Sequence, residues 1–121
     1  MAERLGKYTI ILNSHPSVTG FAAVVGKTEG EGPLKDEFDF VFEDDTLGEA
    51  SFEKAESALQ KEAVTRALSK AGKTSDEVDF SLAGDLLNQC IGSSFGLRSL
   101  NMPFIGLYGA CSTMALSLGL R

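Results

Sequence analysis

The segment Phe104-Ile105-Gly106-Leu107-Tyr108-Gly109-Ala110-Cys111-Ser112-Thr113 follows Pro103 with a short apolar run and ends in a small-residue corner. Beyond it, Thr113 through Leu120 is almost wholly apolar. That order predicts a buried strand, a tight turn, a cysteine and a buried helix. A helix starting just after Cys111 would aim its free N–H groups and the positive end of its dipole at the sulfur, a place that stabilises a thiolate. The same pattern also fits a small buried cysteine where a bulkier residue has no room. These residues alone leave both readings open, because no general base stands beside Cys111.

Working outward, the clearest helix lies upstream. Phe52, Ala55, Leu59, Ala63 and Ala67 form one stripe, widened by Val64, Leu68 and Ala71. Ser51 suits the N-cap, Glu62 and Arg66 form an i,i+4 pair, and Gly72 stands where a helix stops. Val78 to Ala83 then alternates as a strand does. Helix, short turn and strand make half of a βαβ unit, so a mostly parallel sheet is expected. Ser93 or Ser94 is placed to cap a short helix running to Leu100, which Asn101-Met102-Pro103 ends. Between strand and helix lies Ala83-Gly84-Asp85-Leu86-Leu87-Asn88-Gln89, just past a strand's C-terminal end, where open α/β sheets place their ligands. Asp85, Asn88 and Gln89 either donate and accept hydrogen bonds to a ligand there or cap the following turn.

The N-terminal third is less regular. Tyr8 to Leu12 reads as a first strand, closed by Asn13-Ser14-His15-Pro16, and Phe21 to Val25 as a second. His15 is the sole histidine, and its place before a proline in a polar turn points to a surface role. Gly26 to Pro33 is glycine-rich but lacks the Gly-Lys-Ser/Thr ending of a phosphate loop, and irregular backbone is expected there. Leu34, Phe38, Val41 and Phe42 fall at helical spacing after Pro33, which predicts a helix; Phe38, Phe40 and Phe42 also alternate, which leaves a strand open. Asp36, Glu37, Asp39, Glu43, Asp44 and Asp45 gather acid in the same stretch. A calcium site is conceivable with such ligands, but the spacing does not match an EF-hand loop, and a solvated acidic face is the expectation.

Composition bounds what remains. The 121 residues are 43% apolar and 23% charged, which is ordinary for one soluble globular domain at most. A net charge of −6 argues against nucleic acid as a partner. Two cysteines, Cys90 and Cys111, make no disulfide framework. No run approaches a membrane span, and the first residues lack the hydrophobic stretch of a signal peptide, so a soluble intracellular chain is expected.

Three motifs together carry a resemblance. Gly-Lys-Thr-Glu-Gly-Glu-Gly-Pro-Leu at 26–34, Ala-Gly-Asp-Leu-Leu-Asn-Gln at 83–89 and Gly-Leu-Tyr-Gly-Ala-Cys-Ser-Thr at 106–113 occur in order. In these the chain resembles the stage V sporulation protein AD family from about Tyr8 to Thr113. The resemblance implies an α/β chain: the N-terminal portion of a thiolase-like αβαβα layered fold related to ketoacyl synthase III, with a mixed sheet and a buried nucleophile-type helix. Residues 1–121 would be an incomplete N-terminal half of such a domain, since family members run to several hundred residues. The implied function is non-catalytic binding of dipicolinic acid and its uptake, as the calcium salt, into the developing spore during sporulation, with a bearing on germination. The implied partners are dipicolinate, with or without calcium, and other stage V sporulation membrane proteins. The implied place is soluble or peripheral at the forespore or spore inner membrane.

The implied site comprises Asp85, Asn88, Cys111 and Ser112, with Cys111 at the thiolase nucleophile position. No cofactor and no metal ligand set are implied. In thiolase-like enzymes the partner histidine and asparagine, or a second histidine, come from the second half of the fold, so catalysis does not carry over. Acyl transfer through a Cys111 thioester is the competing expectation, and a truncated fragment without a ligand is a third. The likeness loosens after Thr113, where this chain reads Met114-Ala115-Leu116-Ser117-Leu118-Gly119-Leu120-Arg121. Lys27, Arg98 and the N–H groups after Cys111 are the candidate partners for ligand carboxylates. Thiolase-like proteins commonly pair through a sheet edge of this half, which makes a homodimer a further expectation.

Overall fold

The computed structural model describes residues 2–87 and 89–120. It is a mixed α/β structure in which, among those residues, six strands form three two-stranded ladders and four helices accompany them. β1 (Ala2–Leu5) and β2 (Thr9–Leu12) make an antiparallel hairpin with Leu5 opposite Thr9. Gly6, at φ +67°, supplies the left-handed turn, and Arg4 donates across the loop to the Gly6 and Lys7 carbonyls. β3 (Val24–Val25) pairs in parallel with β4 (Phe40–Val41), and β5 (Ser81–Ala83) pairs in parallel with β6 (Phe104–Gly106). The expected mixed sheet therefore stands here as separate short ladders, one antiparallel and two parallel.

α2 (Phe52–Ala71) is the longest element, spanning about 30 Å at the usual rise per residue. It forms where its composition favours it. The Ser51 hydroxyl accepts from the Lys54 N–H at 3.4 Å, and Gly72 closes the end at φ +65° while Lys73 N–H reaches back to the Leu68 carbonyl at 2.9 Å. Glu62 and Arg66 pair at 2.7 Å, and the Arg66 guanidinium lies over the Phe40 ring at 4.3 Å. Lys70 meets Asp39 at 2.7 Å, and the other Asp39 oxygen accepts the Ala23 N–H at 2.8 Å. One carboxylate thus ties the β3–β4 ladder to the helix.

α3 (Ile91–Arg98) packs on α2 through its buried residues Gly92, Ser93, Gly96 and Leu97. A side chain at 96 would put its Cβ 2.5 Å from the Ser57 carbonyl oxygen, so glycine sets how closely the helices approach. Ser57 completes the contact by donating to the Gly92 carbonyl at 2.8 Å. β5, α3 and β6 are the right order for a βαβ unit, and their parallel pairing is the expected one. Among the described residues the buried apolar side chains are Val24 on β3 and Ala55, Leu97, Met102 and Leu107, the last four placing the core where α2, α3 and the β5–β6 ladder meet.

Several expectations are corrected. Residues 34–42 are not helical: turns lead into β4, because Asp39 N–H and Phe42 N–H find the Ala23 and Val25 carbonyls at 2.9 Å across a parallel ladder. The alternation of Phe40 and Phe42 was the truer signal, and their rings meet edge to face at 4.9 Å. Gly26 to Pro33 is less irregular than expected, since α1 (Lys27–Gly30) forms one helical turn. Asp45 holds that turn by accepting from the Thr28 N–H and hydroxyl, and Asp44 likewise accepts from Thr46 and Gly48. Both carboxylates hold turns while remaining exposed, and with Asp36, Glu37 and Glu43 also exposed the stretch is the solvated acidic face expected of it. Among the described residues no group of three or more His, Cys, Asp and Glu side chains is placed to hold a metal ion.

The largest correction concerns α4 (Thr113–Leu120), expected to be buried on every side. None of its residues is buried, and Met114 is 69% exposed. Among the described residues its main strand neighbour is β5, and most of its apolar circumference is left facing water. β6 is likewise only half-covered. Among the described residues no helix is long and apolar enough to cross a membrane.

Candidate functional site

Two loops converge at the C-terminal ends of β5 and β6. The first begins at Gly84, which lies so close to the Leu107 carbonyl and the Thr113 methyl that a side chain there would collide with both. That close approach brings the loop after β5 against the first residue of α4. The sequence motifs at 83–89 and 106–113 are thus neighbours in space, as their positions beyond adjacent parallel strands require.

Asp85 organises the first loop. It is 6% exposed; its Oδ1 accepts the Cys90 N–H at 3.0 Å, and its Oδ2 accepts the Ser93 N–H and hydroxyl, each at 2.9 Å. A carboxylate in this position satisfies orphan donors at the start of α3 and sits favourably at the helix dipole's positive end. The capping role expected of Ser93 or Ser94 is therefore corrected. Cys90 occupies the N-cap position without a side-chain cap bond, Asp85 supplies the acceptor, and the helix ends at Arg98 rather than Leu100. Ser93 donates to Asp85, while Ser94 donates to the Cys90 carbonyl at 2.6 Å.

The loop carries backbone strain. Gln89 and Cys90 both lie in the left-handed region, at φ +53° and +72°, which non-glycine residues adopt at a cost of about 1–3 kcal/mol each when strained. The Asp85–Cys90 bond holds that conformation, and the Cys90 thiol donates to the Leu107 carbonyl at 3.1 Å, lacing the loop to the end of β6. Asn88, expected at the site, lies outside the described residues. No sequence signal distinguished Cys90, whose role comes from a backbone conformation rather than from a motif.

Cys111 lies in a 3-10 turn over Ala110–Ser112 that leads directly into α4, and it is an exposed free thiol. The expected strand, turn, cysteine and helix are all present, but α4 begins two residues beyond the cysteine. Ala110, at φ +45°, turns the chain into this corner. The exposed Ser112 is committed to the turn, its N–H and hydroxyl both reaching the Gly109 carbonyl, at 2.9 and 2.6 Å. The Thr113 hydroxyl oxygen is buried and has no hydrogen-bond partner. His15 stands in the exposed turn after β2, its N–H bonded to the Leu12 carbonyl at 3.0 Å, as a turn role requires. Of the candidate cations, Lys27 lies 3.9 Å from Glu31, and Arg98 lies over the Phe95 ring at 5.8 Å.

The motif at 26–34 meets the loop after β5 over α2. Gly26, Asp45, Leu47, Phe52, Glu56 and Leu87 line an open groove of about 290 Å³, so the first motif and the loop after β5 form its walls.

Comparison with known proteins identifies the family. The family model for Stage V sporulation protein AD (SpoVAD) matches residues 6–121. The Stage V sporulation protein AD of Bacillus subtilis (strain 168) is 38% identical over 108 residues, which cover 89% of this chain and 32% of that protein. This chain therefore spans about a third of the curated relative's length, with all three motifs inside the matched region, and it belongs to the stage V sporulation protein AD family.

Proposed function

We propose that the chain is part of a non-catalytic, dipicolinate-binding protein that acts in the uptake of calcium dipicolinate into the developing spore. In this reading the three ladders and α4 belong to the first half of a thiolase-like αβαβα domain, used for binding rather than for acyl transfer. The ligand lies where the loop after β5 meets the Cys111 corner, near Asp85, Asn88, Cys111 and Ser112. Membrane proteins of the same sporulation stage are its partners, and it works peripherally at the spore's inner membrane. The observation that carries the reading is the packing of Gly84 against Leu107 and Thr113, which joins two family motifs into one surface. The Asp85 carboxylate faces inward to α3 rather than outward, so it does not oppose a dianion at the surface.

Equilibrium binding of dipicolinate to the chain, with and without calcium, tests the proposal. Saturable binding supports it, and no binding in either condition, by this chain and by a full-length family protein carrying the same three motifs, overturns it. The exposed Cys111 thiol just ahead of α4 favours acyl transfer as the competing reading. In that case the thiolate attacks an acyl-thioester carbonyl and expels the carrier thiol, leaving an acyl-Cys111 mass adduct.

A further inference from the structure

Glu56 belongs to none of the three family motifs, yet from α2 it hydrogen-bonds the loop after β5. Its Oε1 accepts the Leu86 N–H at 3.2 Å across thirty residues of chain. Its Oε2 is buried and has no hydrogen-bond partner. A buried carboxylate oxygen without a donor is unfavourable, so a side chain fixed this way needs a compensating contact. Two features show how the position is kept. A Cβ at residue 92 would lie 3.2 Å from Glu56 Oε2 and 3.4 Å from Asp85 Oδ2, so glycine there leaves room for both carboxylates. Glu56 also lines the groove between the motif at 26–34 and Leu87.

We infer that Glu56 is a positioning residue for the ligand-bearing loop. The loop is gripped from two sides: Asp85 fixes its far end through the Cys90 N–H, and Glu56 fixes its near end through the Leu86 N–H. Between these two anchors lies Gln89, which with Cys90 adopts the left-handed conformation that needs outside support. Asp85 acts within its own βαβ unit. Glu56 instead couples the loop to α2 and so to the wall formed by Gly26 and Asp45. The inference rests on the binding reading above for what the loop does, but not for whether Glu56 holds it.

The test compares amide exchange at Leu86 with dipicolinate affinity in the 121-residue chain and its Glu56 variants. Glu56→Ala and Glu56→Met remove the acceptor, the second preserving the apolar stem should the first fail to fold. Leu86 exchange is expected to quicken about tenfold relative to wild type, with residues at the centre of α2 unchanged, and dipicolinate affinity to fall about three- to tenfold. Glu56→Gln keeps a carbonyl acceptor and is expected to restore both. Leu86 exchange as slow in Glu56→Ala and Glu56→Met as in wild type overturns the inference. So does quickened exchange with unaltered dipicolinate affinity. Quickened exchange where neither this chain nor a full-length family protein carrying its motifs binds dipicolinate overturns the binding reading instead, and leaves Glu56 as the anchor of the loop.

Discussion

Ser93 directs both of its donors to one oxygen: its backbone N–H and its hydroxyl each reach Asp85 Oδ2 at 2.9 Å. Ser93 is fully buried, so neither donor has water as an alternative. The pair therefore fixes the start of α3 more firmly than a single exposed cap does, and it links β5 to the helix that returns the chain to β6.

Removing that acceptor exposes its value. Asp85→Ala leaves the part-buried Cys90 N–H and the buried Ser93 N–H and hydroxyl without their acceptor, and is expected to cost about 3 kcal/mol. Ser93→Ala removes only the hydroxyl donor and should cost about 1 kcal/mol. Urea unfolding of both variants checks the order. A loss below about 1 kcal/mol for Asp85→Ala would contradict the capping role.

A different carboxylate, Asp39, is one of several that contribute to the acid response. Lys70 hydrogen-bonds Asp39, and the Ala23 N–H adds a second bond, so the Asp39 carboxyl is held below its ordinary value of 3.8. A depressed folded value means its stabilisation is complete above the unfolded value and is lost as pH falls through the folded one. Asp39→Asn is therefore expected to lower the melting temperature near neutrality, with the gap to wild type narrowing as pH drops from about 6 to about 2. Lys70→Met should reproduce only part of the effect, because the Ala23 bond survives. A gap that stays constant with pH would refute the linkage.

The contact between α2 and α3 sets a steric limit. Gly96→Ala places a methyl 2.5 Å from the Ser57 carbonyl carbon's oxygen, a distance that backbone must yield to. Helix propensity favours alanine by about 1 kcal/mol, and overpacking costs about 1–3 kcal/mol. Net destabilisation is expected, with the larger loss for Gly96→Val. Thermal melts of the two variants decide the point, and a stabilised Gly96→Ala would show that the helices separate without penalty.

How much of this was legible follows from where each signal lives. α2 was readable because its stripe, its Ser51 cap and its Gly72 stop are all local, and the structure has them at Phe52–Ala71. The parallel pairing of β5 with β6 was readable for a similar reason, since an intervening helix implies it. Residues 34–42 are ambiguous in sequence because helical spacing and alternation coexist there, and a non-local ladder with β3 settles the competition. Asp85 as a cap was visible only as one of two alternatives, because the donors it serves are five to eight residues away. Glu56 was invisible for a stronger reason: its partner is a backbone N–H thirty positions along the chain, which no spacing rule reports.

At Cys111 the expected outcome separates binding from chemistry. If the corner binds ligand without acyl transfer, Cys111→Ala keeps most dipicolinate affinity, because an exposed thiol in a 3-10 turn contributes little that alanine cannot replace. Intact-protein mass spectrometry after exposure to an acyl-thioester should then show no adduct. A stable acyl group on Cys111 would overturn the non-catalytic reading.

The final expectation concerns surface. The chain exposes 8514 Å², whereas a folded monomer of 12.9 kDa exposes about 6,300 Å². The excess, about 2,200 Å², exceeds what one partner contributes to a standard interface, roughly 800 Å². Much of it is apolar: Met114, Leu116, Leu118 and Leu120 surround α4, and the β1–β2 hairpin leaves Leu5, Tyr8, Ile10 and Ile11 exposed. Covering one leucine or methionine stabilises by roughly 1.5–3 kcal/mol, so several together rival the whole stability of a small domain, about 5–15 kcal/mol. Patches of this extent beside free strand edges favour association. The 121-residue polypeptide is therefore expected to self-associate or remain loosely packed, and to give weak amide protection across 113–120. Replacing Leu116 and Leu118 with glutamate should shift the population toward monomer on size-exclusion chromatography without lowering stability, because neither side chain is buried. A compact wild-type monomer with strong protection in α4 would show that the helix is covered from within the chain and would refute this exposure.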